Sequence, residues 1–408
     1  MTSRKQTLVV LGASSDQTFM IRTAQEMGLQ VLALDYNPQS PGFELAEFHA
    51  LVSTRDVPAI CAELERQRAQ GMRIAGVTTM GSDIPEIVAE VAGFLGTPSI
   101  PLESARIAVD KFAMKRRFQE RGVPIPWFQE LTSAAELRSI AAQRGLPLVI
   151  KPVDRSGSRG VYFLDQDSDL EDLYGKAAEF SFSGRVQVEE YLPGLQISTE
   201  TVMWKGKATT PGFADRNYEL FERFLPQIME NGGWVPSILS DKDRQAVELV
   251  VEQASLALDV TDGITKGDVV MTPEGPKIIE IATRLSGGDF CESLVPLGTG
   301  VNYVRCAIQL AIGEDPDLAS LEPKFERAVA NRYFFPEAGK LVGIDGEDEV
   351  RAKEWVHKLE FWYALGEEVP ESLSHAHRFG VFLITAPDRK TAQERVDWVY
   401  KTIVIHTE

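Results

Sequence analysis

The sequence predicts an α/β unit followed by α+β units, and three observations carry that reading. A strand–helix–strand pattern opens the chain, short strands alternate with two helices from Val123 onward, and an acid-bearing hairpin runs from Thr265 to about Ala282. With 408 residues the chain exceeds a single hydrophobic core, so two to four packed units are expected.

The first unit starts with the apolar run Leu8 to Leu11, the turn Gly12 to Asp16, a helical stretch ending near Gly28, and a strand Val31 to Leu34 closing on Asp35. Strands linked in this way lie parallel. A helix fits Val57 to Ala69 and a third strand fits Ala75 to Thr79. The next helix is marked by Ile84, Ile87, Val88, Val91, Ala92 and Leu95 at i, i+3, i+4, i+7 spacing. Glu103 to Arg121 then reads as helical. The turn at Gly12 lacks the later glycines of a dinucleotide fingerprint, so a nicotinamide cofactor is not expected.

From Val123 the pattern changes to strand Trp127–Glu130, helix Ser133–Arg144, strands Pro147–Lys151 and Val161–Leu164, a helix around Asp169–Glu179, and strand Val186–Glu190. A larger mixed region extends to about Gly313, and an acidic linker spans Glu314 to Glu322. The last unit has strands near Asn331–Phe335 and Phe379–Ile384 and a helix near Lys390–Tyr400.

With 42 Lys and Arg against 60 Asp and Glu, the net charge is −18. That balance argues against nucleic acid or an anionic membrane as a partner. Any polyanion site must therefore build a local cationic cluster. No apolar run approaches the ~18 residues of a membrane span, and Met1 to Lys5 lead directly into a strand, so a cytoplasmic protein without signal peptide is expected. Cys61, Cys291 and Cys306 are widely spaced, which suits buried reduced thiols and no zinc site.

Four segments carry chemistry. In Leu148 to Val161 a strand delivers Lys151 and a glycine-bearing loop follows. Backbone N–H groups of such a loop cradle phosphate oxygens, and Arg155, Ser156, Ser158 and Arg159 add donors; the plainer alternative is an exposed hairpin turn. Asp110-Lys111 opens a basic helical turn with Lys115, Arg116 and Arg117, a pattern equally suited to a solvated helix face. The strand Val186 to Glu190 runs into Tyr191-Leu192-Pro193-Gly194, which suits either the edge of a purine or a hinge. In the hairpin, Asp268 lies on the outgoing strand and Glu280 on the returning one. They face each other on one side only if the connection has an odd residue count. Two carboxylates on one face, with triphosphate oxygens, are what Mg²⁺ needs, while an ion pair with Arg284 is the simpler fate for Glu280.

Together and in this order, these segments resemble the ATP-grasp superfamily, in particular its carboxylate–amine ligase branch with biotin-carboxylase-like architecture. The resemblance covers most of the chain. It implies an N-terminal Rossmann-like pre-ATP-grasp domain over residues 1–105, an ATP-grasp domain over 106–315 with a small lid subdomain at about 123–192, and a small C-terminal α+β domain over 316–408. By similarity Lys111 and Lys151 contact ATP phosphates, and Ser156, Gly157, Ser158 and Gly160 close over them. Glu189, Glu190, Tyr191 and Leu192 flank adenine. The ribose position is Gln196 where the family commonly has glutamate, with Glu200 as the substitute. Asp268 and Glu280 hold one or two Mg²⁺ ions (Mn²⁺ as a substitute), and Ala282 replaces the asparagine of the family's E-x-N-x-R.

The activity implied is ADP-forming ligation of a carboxylate, activated as an acyl phosphate, to an amine. Arg284 and Arg216 are the expected catalytic residues. Arg216, Ser286, Gly287 and Gly288 are the expected substrate contacts, with a surface arginine paired to Asp215 as the alternative for Arg216. A bicarbonate-using enzyme of carboxylase or carbamoyl-phosphate type, or a non-catalytic nucleotide-binding protein, are the competing readings. Small-molecule carboxylate and amine substrates are the expected partners, and a homodimer is the default assembly.

Overall fold

The computed structural model describes residues 5–408. The expectation for the chain start falls on residues outside these, Lys5 excepted. The N-terminal unit is a parallel sheet of β1 (Gln6–Leu11), β2 (Gln30–Asp35), β3 (Phe48–Leu51) and β4 (Arg73–Thr78) in the order β3-β2-β1-β4. Leu8 to Leu11 and Val31 to Leu34 are wholly buried, as strands covered by helices on both faces must be. The edge strand β3 escaped the sequence reading because its four residues show no alternation and are largely exposed.

The helical stretch Glu103 to Arg121 is divided into two helices, Leu102–Val109 and Lys111–Glu120. Asp110 adopts extended backbone between them, and its Oδ1 accepts hydrogen bonds from Phe112 N at 3.0 Å and Ala113 N at 2.9 Å. A short acceptor side chain that satisfies the free N–H groups of a new helix outcompetes continuation of the old one. The break places Lys111 at the first turn of the second helix, where its backbone N–H donates to Val153 O at 2.7 Å.

A small antiparallel sheet follows, β5 (Phe128–Leu131), β6 (Leu148–Pro152), β7 (Tyr162–Leu164) and β8 (Val186–Glu190), ordered β5-β8-β6-β7. Helices Ala134–Arg144 and Leu170–Phe180 pack on it over Leu137, Ile140, Leu173 and Ala177. The main sheet has eight strands. Its first five are β9 (Leu195–Trp204), β10 (Lys207–Arg216), β11 (Gly233–Val235), β12 (Gly263–Thr272) and β13 (Gly275–Ala282). After β14 (Ala328–Phe334) come β15 (Gly339–Asp345), β16 (Val356–Phe361), β17 (Glu368–Val369), β18 (Gly380–Ala386) and β19 (Val404–Thr407). The spatial order is β13-β12-β9-β10-β11-β14-β18-β16, so three late strands extend the sheet begun by the hairpins, while β17-β15-β19 form a separate three-stranded sheet. The acidic stretch after Gly313 holds a short 3-10 turn, Leu318–Leu321.

The N-terminal unit is tied to the end of β13 by backbone: Met80 bridges Leu285, and Gly81 N donates to Leu285 O at 3.1 Å. Cys291 and Cys306 are buried free thiols, whereas Cys61 is only half-buried. Among the described residues no helix is long and apolar enough to cross a membrane.

Replacing Asp110 with Ala is expected to lower unfolding stability by about 1–2 kcal/mol, and Asp110→Asn to recover most of it, in urea titrations. Equal losses in both variants would place the effect on the Arg185 pair, 2.6 Å from Asp110 Oδ2, instead of on the cap.

Candidate functional site

A polar cleft of about 300 Å³ lies between the small sheet and the β9–β13 hairpins, lined by Lys111, Lys151, Ser156, Gly157, Ser158, Glu189, Glu190, Tyr191, Leu192, Gln196, Arg216, Asp268, Glu280 and Arg284. These residues are far apart in the chain, and the fold brings them together. Gly160, Ser286, Gly287 and Gly288 do not line it. A larger cavity of about 570 Å³, bounded by β4, the helix Pro85–Leu95 and the helix Val304–Ile312, is walled mostly by apolar side chains and holds none of the cleft's convergent charges except Arg284.

The loop after β6 turns through left-handed backbone at Gly157 (φ 69°), Ser158 (φ 59°) and Gly160 (φ 71°). At Gly160 a Cβ would stand 2.9 Å from both Phe180 Cβ and Pro152 Cγ, so glycine is required twice over. The exposed-hairpin alternative does not hold, since Ser158 Oγ donates to Ile228 O at 2.6 Å and the loop leans over the cleft.

Five of the six Lys and Arg side chains that line the cleft have an acid partner, while the guanidinium carbon of Arg155 lies 4.1 Å from the centre of the Phe182 ring. Lys111 Nζ lies 3.0 Å from Glu280 Oε1. Burial works against its charge, and Glu280 more than offsets that, raising its pKa. Lys151 Nζ lies 2.7 Å from Glu189 Oε1, and Lys115 Nζ lies 3.6 Å from Glu189 Oε2. Lys115 is therefore not on a solvated helix face; it is 1% exposed, and burial pulls its pKa down to about 8. The Glu189 carboxylate, expected beside a purine, is engaged by these two lysines while it lines the cleft. Burial disfavours its charge, but Lys115 and Lys151 reverse the balance and hold it ionised. On β8 the neighbouring Glu190 points to the other face, with Oε2 accepting from Trp127 N at 3.3 Å.

In the hairpin, Asp268 pairs directly with Glu280. The turn Pro273-Glu274 has two residues, which by itself would put the two on opposite faces. A β-bulge between Asp268 and Val269 inserts Ile279 as an extra residue on β13 and restores the shared face. Asp268 is held by Arg216 Nη1 at 3.1 Å and Lys266 Nζ at 2.5 Å. Burial opposes its charge, yet those two cations keep its carboxyl far below the ordinary range. Among the described residues no three His, Cys, Asp or Glu side chains converge as an all-protein metal cage. Mg²⁺ needs only one or two carboxylates when phosphate oxygens complete its shell, and Asp268 with Glu280 meets that lesser requirement.

Arg284 does not pair with Glu280. Its Nε and Nη2 reach Asp83 Oδ1 at 2.8 and 2.6 Å, across from the N-terminal unit. Arg216 is not paired with Asp215 but spans Asp268 and Glu230, the latter at 3.1 Å. Glu200 is removed from any ribose position: it is fully buried, its carboxylate accepts from the Ser286 hydroxyl, and burial pushes its pKa up to about 7. The Ser286 hydroxyl proton is thus engaged inside the protein. Gly287 and Gly288 sit against Asp16 and Tyr333 respectively.

Sequence reasoning missed Asp83, Lys266 and His375. Lys266 is two residues from Asp268 on β12 and shares its face, a signal the period of a strand contains. His375 has no such signal; it comes from a 3-10 turn of the last unit, yet it lines the cleft.

Residues 108–288 match the ATP-grasp domain family, and residues 332–408 match the L-amino acid ligase C-terminal domain 2. The uncharacterized protein y4rH of Sinorhizobium fredii is 26% identical over 97% of this chain and 83% of its own length. A D-alanine–D-alanine ligase of Desulforudis audaxviator is 26% identical over 57% of this chain and 83% of its own. Among solved structures, the L-amino acid ligase of Bacillus licheniformis superposes with a TM-score of 0.83 at 20% identity, covering 100% of both chains.

Glu200 gives the site a pH signature. Its folded pKa of about 7 stands above the reference value of 4.5, so its share of stability is complete below pH ~4.5 and is lost as pH rises through ~7. Glu200→Gln removes that loss. Its stability relative to the parent protein is expected to improve between pH 5 and pH 8 by on the order of 2–3 kcal/mol, read from thermal or urea unfolding. A difference that does not change with pH would exclude a protonated Glu200.

Proposed function

For a chain that carries an ATP-grasp domain and the C-terminal domain of L-amino acid ligases, we propose ADP-forming ligation of a small carboxylic acid to an amine. The observation that carries this is the cleft itself. Lys111, Lys151, Arg216, Lys266 and Arg284 converge under a glycine loop beside two carboxylates on one strand pair. That is a polyanion site with a place for a divalent cation, built within a chain of net charge −18.

In this reading residues 1–105, 106–315 and 316–408 are the three domains, and the small sheet is the lid. Lys111 and Lys151 bind the phosphates of ATP, exchanging part of their pairing with Glu280 and Glu189 for phosphate oxygens. Backbone N–H groups of Ser156 to Gly160 lie over those phosphates. Tyr191, Leu192 and Glu190 border the base and Gln196 the ribose. Asp268 and Glu280 hold one or two Mg²⁺ ions, which supply charge neutralisation of the triphosphate when bound.

A substrate carboxylate oxygen attacks the γ-phosphorus in line and the bond to ADP breaks, which leaves an acyl phosphate. The amine then attacks the acyl carbon, and phosphate departs from the tetrahedral adduct. Asp83 holds the Arg284 guanidinium in one orientation. Arg284 is thereby prepared to take the charge that grows on the phosphoryl oxygens at no reorganisation cost. Arg216, set between Asp268 and Glu230, receives the substrate carboxylate. Lid closure over the cleft excludes water and protects the acyl phosphate from hydrolysis.

The test is a matrix of carboxylic acids against amines, with a bicarbonate arm, scored by ATP-dependent phosphate release and product mass. Release with an acid–amine pair and a condensed product supports ligation; release that needs only bicarbonate overturns it. In the active pair, Arg284→Ala is expected to lower kcat by ~10²–10³ with little change in KM for ATP. Asp83→Ala should reproduce a smaller share of that loss, because it frees the guanidinium without removing it. Parallel changes in KM and kcat for Arg284→Ala would assign the arginine to nucleotide binding instead.

A further inference from the structure

His375 belongs to the segment between β17 and β18, yet its side chain reaches the cleft. Three contacts define its position. Its backbone N–H donates to Gly157 O at 3.2 Å, so the last unit holds down the tip of the glycine loop. Its Nε2 accepts from the backbone N–H of Glu230 at 3.3 Å. Ser374 Oγ caps the turn by accepting from Ala376 N at 3.3 Å.

The Glu230 contact settles where the ring proton is. A backbone N–H is a donor under all conditions, so Nε2 must carry a lone pair, and the proton of a neutral imidazole is then on Nδ1. Burial, followed by Arg378, Arg216, Lys266 and Arg159, holds the imidazole neutral by lowering its pKa well below the usual histidine value. Among the described residues no hydrogen bond joins Nδ1 to a protein atom. An N–H donor in this position lies beside the glycine loop and near four cationic side chains.

We infer that His375 donates a hydrogen bond from Nδ1 to the terminal phosphoryl group of the bound nucleotide, and so reads the triphosphate apart from the diphosphate. This rests on the nucleotide reading of the cleft and adds a contact from the last unit to it. The backbone bond to Gly157 and the side-chain bond to phosphate act together: the loop is fastened from outside while the imidazole meets the group it covers. Arg216, Lys266 and Arg159 are charged donors engaged with Asp268, Glu230 or Ser156 O, whereas Nδ1–H is a neutral donor with no protein acceptor among the described residues.

The test compares binding of ADP and of the non-hydrolysable imido analogue of ATP, each with Mg²⁺, by titration calorimetry on the full chain. His375→Ala is expected to weaken the analogue about tenfold or more while ADP affinity stays within about twofold. His375→Asn, whose amide N–H₂ can occupy the place of Nδ1–H, is expected to bind the analogue within about threefold of the parent protein. Unchanged ADP affinity doubles as the check that each variant is folded. Equal weakening of both nucleotides would leave His375 only its backbone role at Gly157 and overturn the inference, as would an asparagine variant no better than alanine. A parent protein that binds neither nucleotide overturns the underlying reading of the cleft as well, and is told apart by that result.

Discussion

Like charges gathered into one cleft repel one another, and the arrangement of this site follows from how that repulsion is relieved before any ligand arrives. Lys111 rests on Glu280, Lys151 and Lys115 share Glu189, Arg216 and Lys266 share Asp268, and Arg284 leans on Asp83. At Lys111 the pair more than offsets burial, whereas at Lys115 burial prevails over Glu189. The ion pairs hold these side chains aimed in the resting protein. In the proposed nucleotide reading, a phosphate entering the cleft would find them oriented, with little ordering left to do on binding.

The sharing is uneven, and the unevenness has a purpose in the geometry. Glu189 is 2% exposed and lies between two lysines, a permanent fixture of the interior. Glu280 is more open at its side chain, 28% exposed, and its lysine is correspondingly easier to release. Asp83 belongs to the N-terminal unit while Arg284 follows β13, so this pair reports whether the two units are in register. The backbone bond from Gly81 to Leu285 beside it fixes that register to within a hydrogen bond.

Much of this was legible in the amino-acid order, and the illegible part has a common cause. Local pattern reads the strand that carries Lys151, the turn around Gly157 and the helix of Ala134–Arg144, because strand alternation, glycine and capping act over a few residues. The Asp110 break was readable in principle, since an aspartate before a basic turn is a cap as well as a charge. Partnerships were not. Arg284 finds Asp83 at a separation of 201 residues, and Lys111 finds Glu280 at 169. The bulge at Ile279 was hidden for a different reason: apolar residues flank it on both sides, so nothing in the composition marks the extra residue that turns Glu280 to the same face as Asp268. Glu200 misled for the same reason, because four residues along a strand from Gln196 is the same face in projection, yet it is buried under Ser286.

The eight-stranded sheet bears on how such proteins diversify. Strand β14 hydrogen-bonds β11 on one side and β18 on the other, so the main-chain ladder runs unbroken from the hairpins into the last eighty residues. The tail is therefore not a bead on a string that recombination can trade between relatives at the acidic connection after Gly313. A graft has to bring a strand whose register meets Gly233, Trp234 and Val235, and a turn that brings a residue to the cleft lining where His375 stands. New specificities in this architecture are more accessible through loops hung from the ladder than through exchange of the piece that completes it.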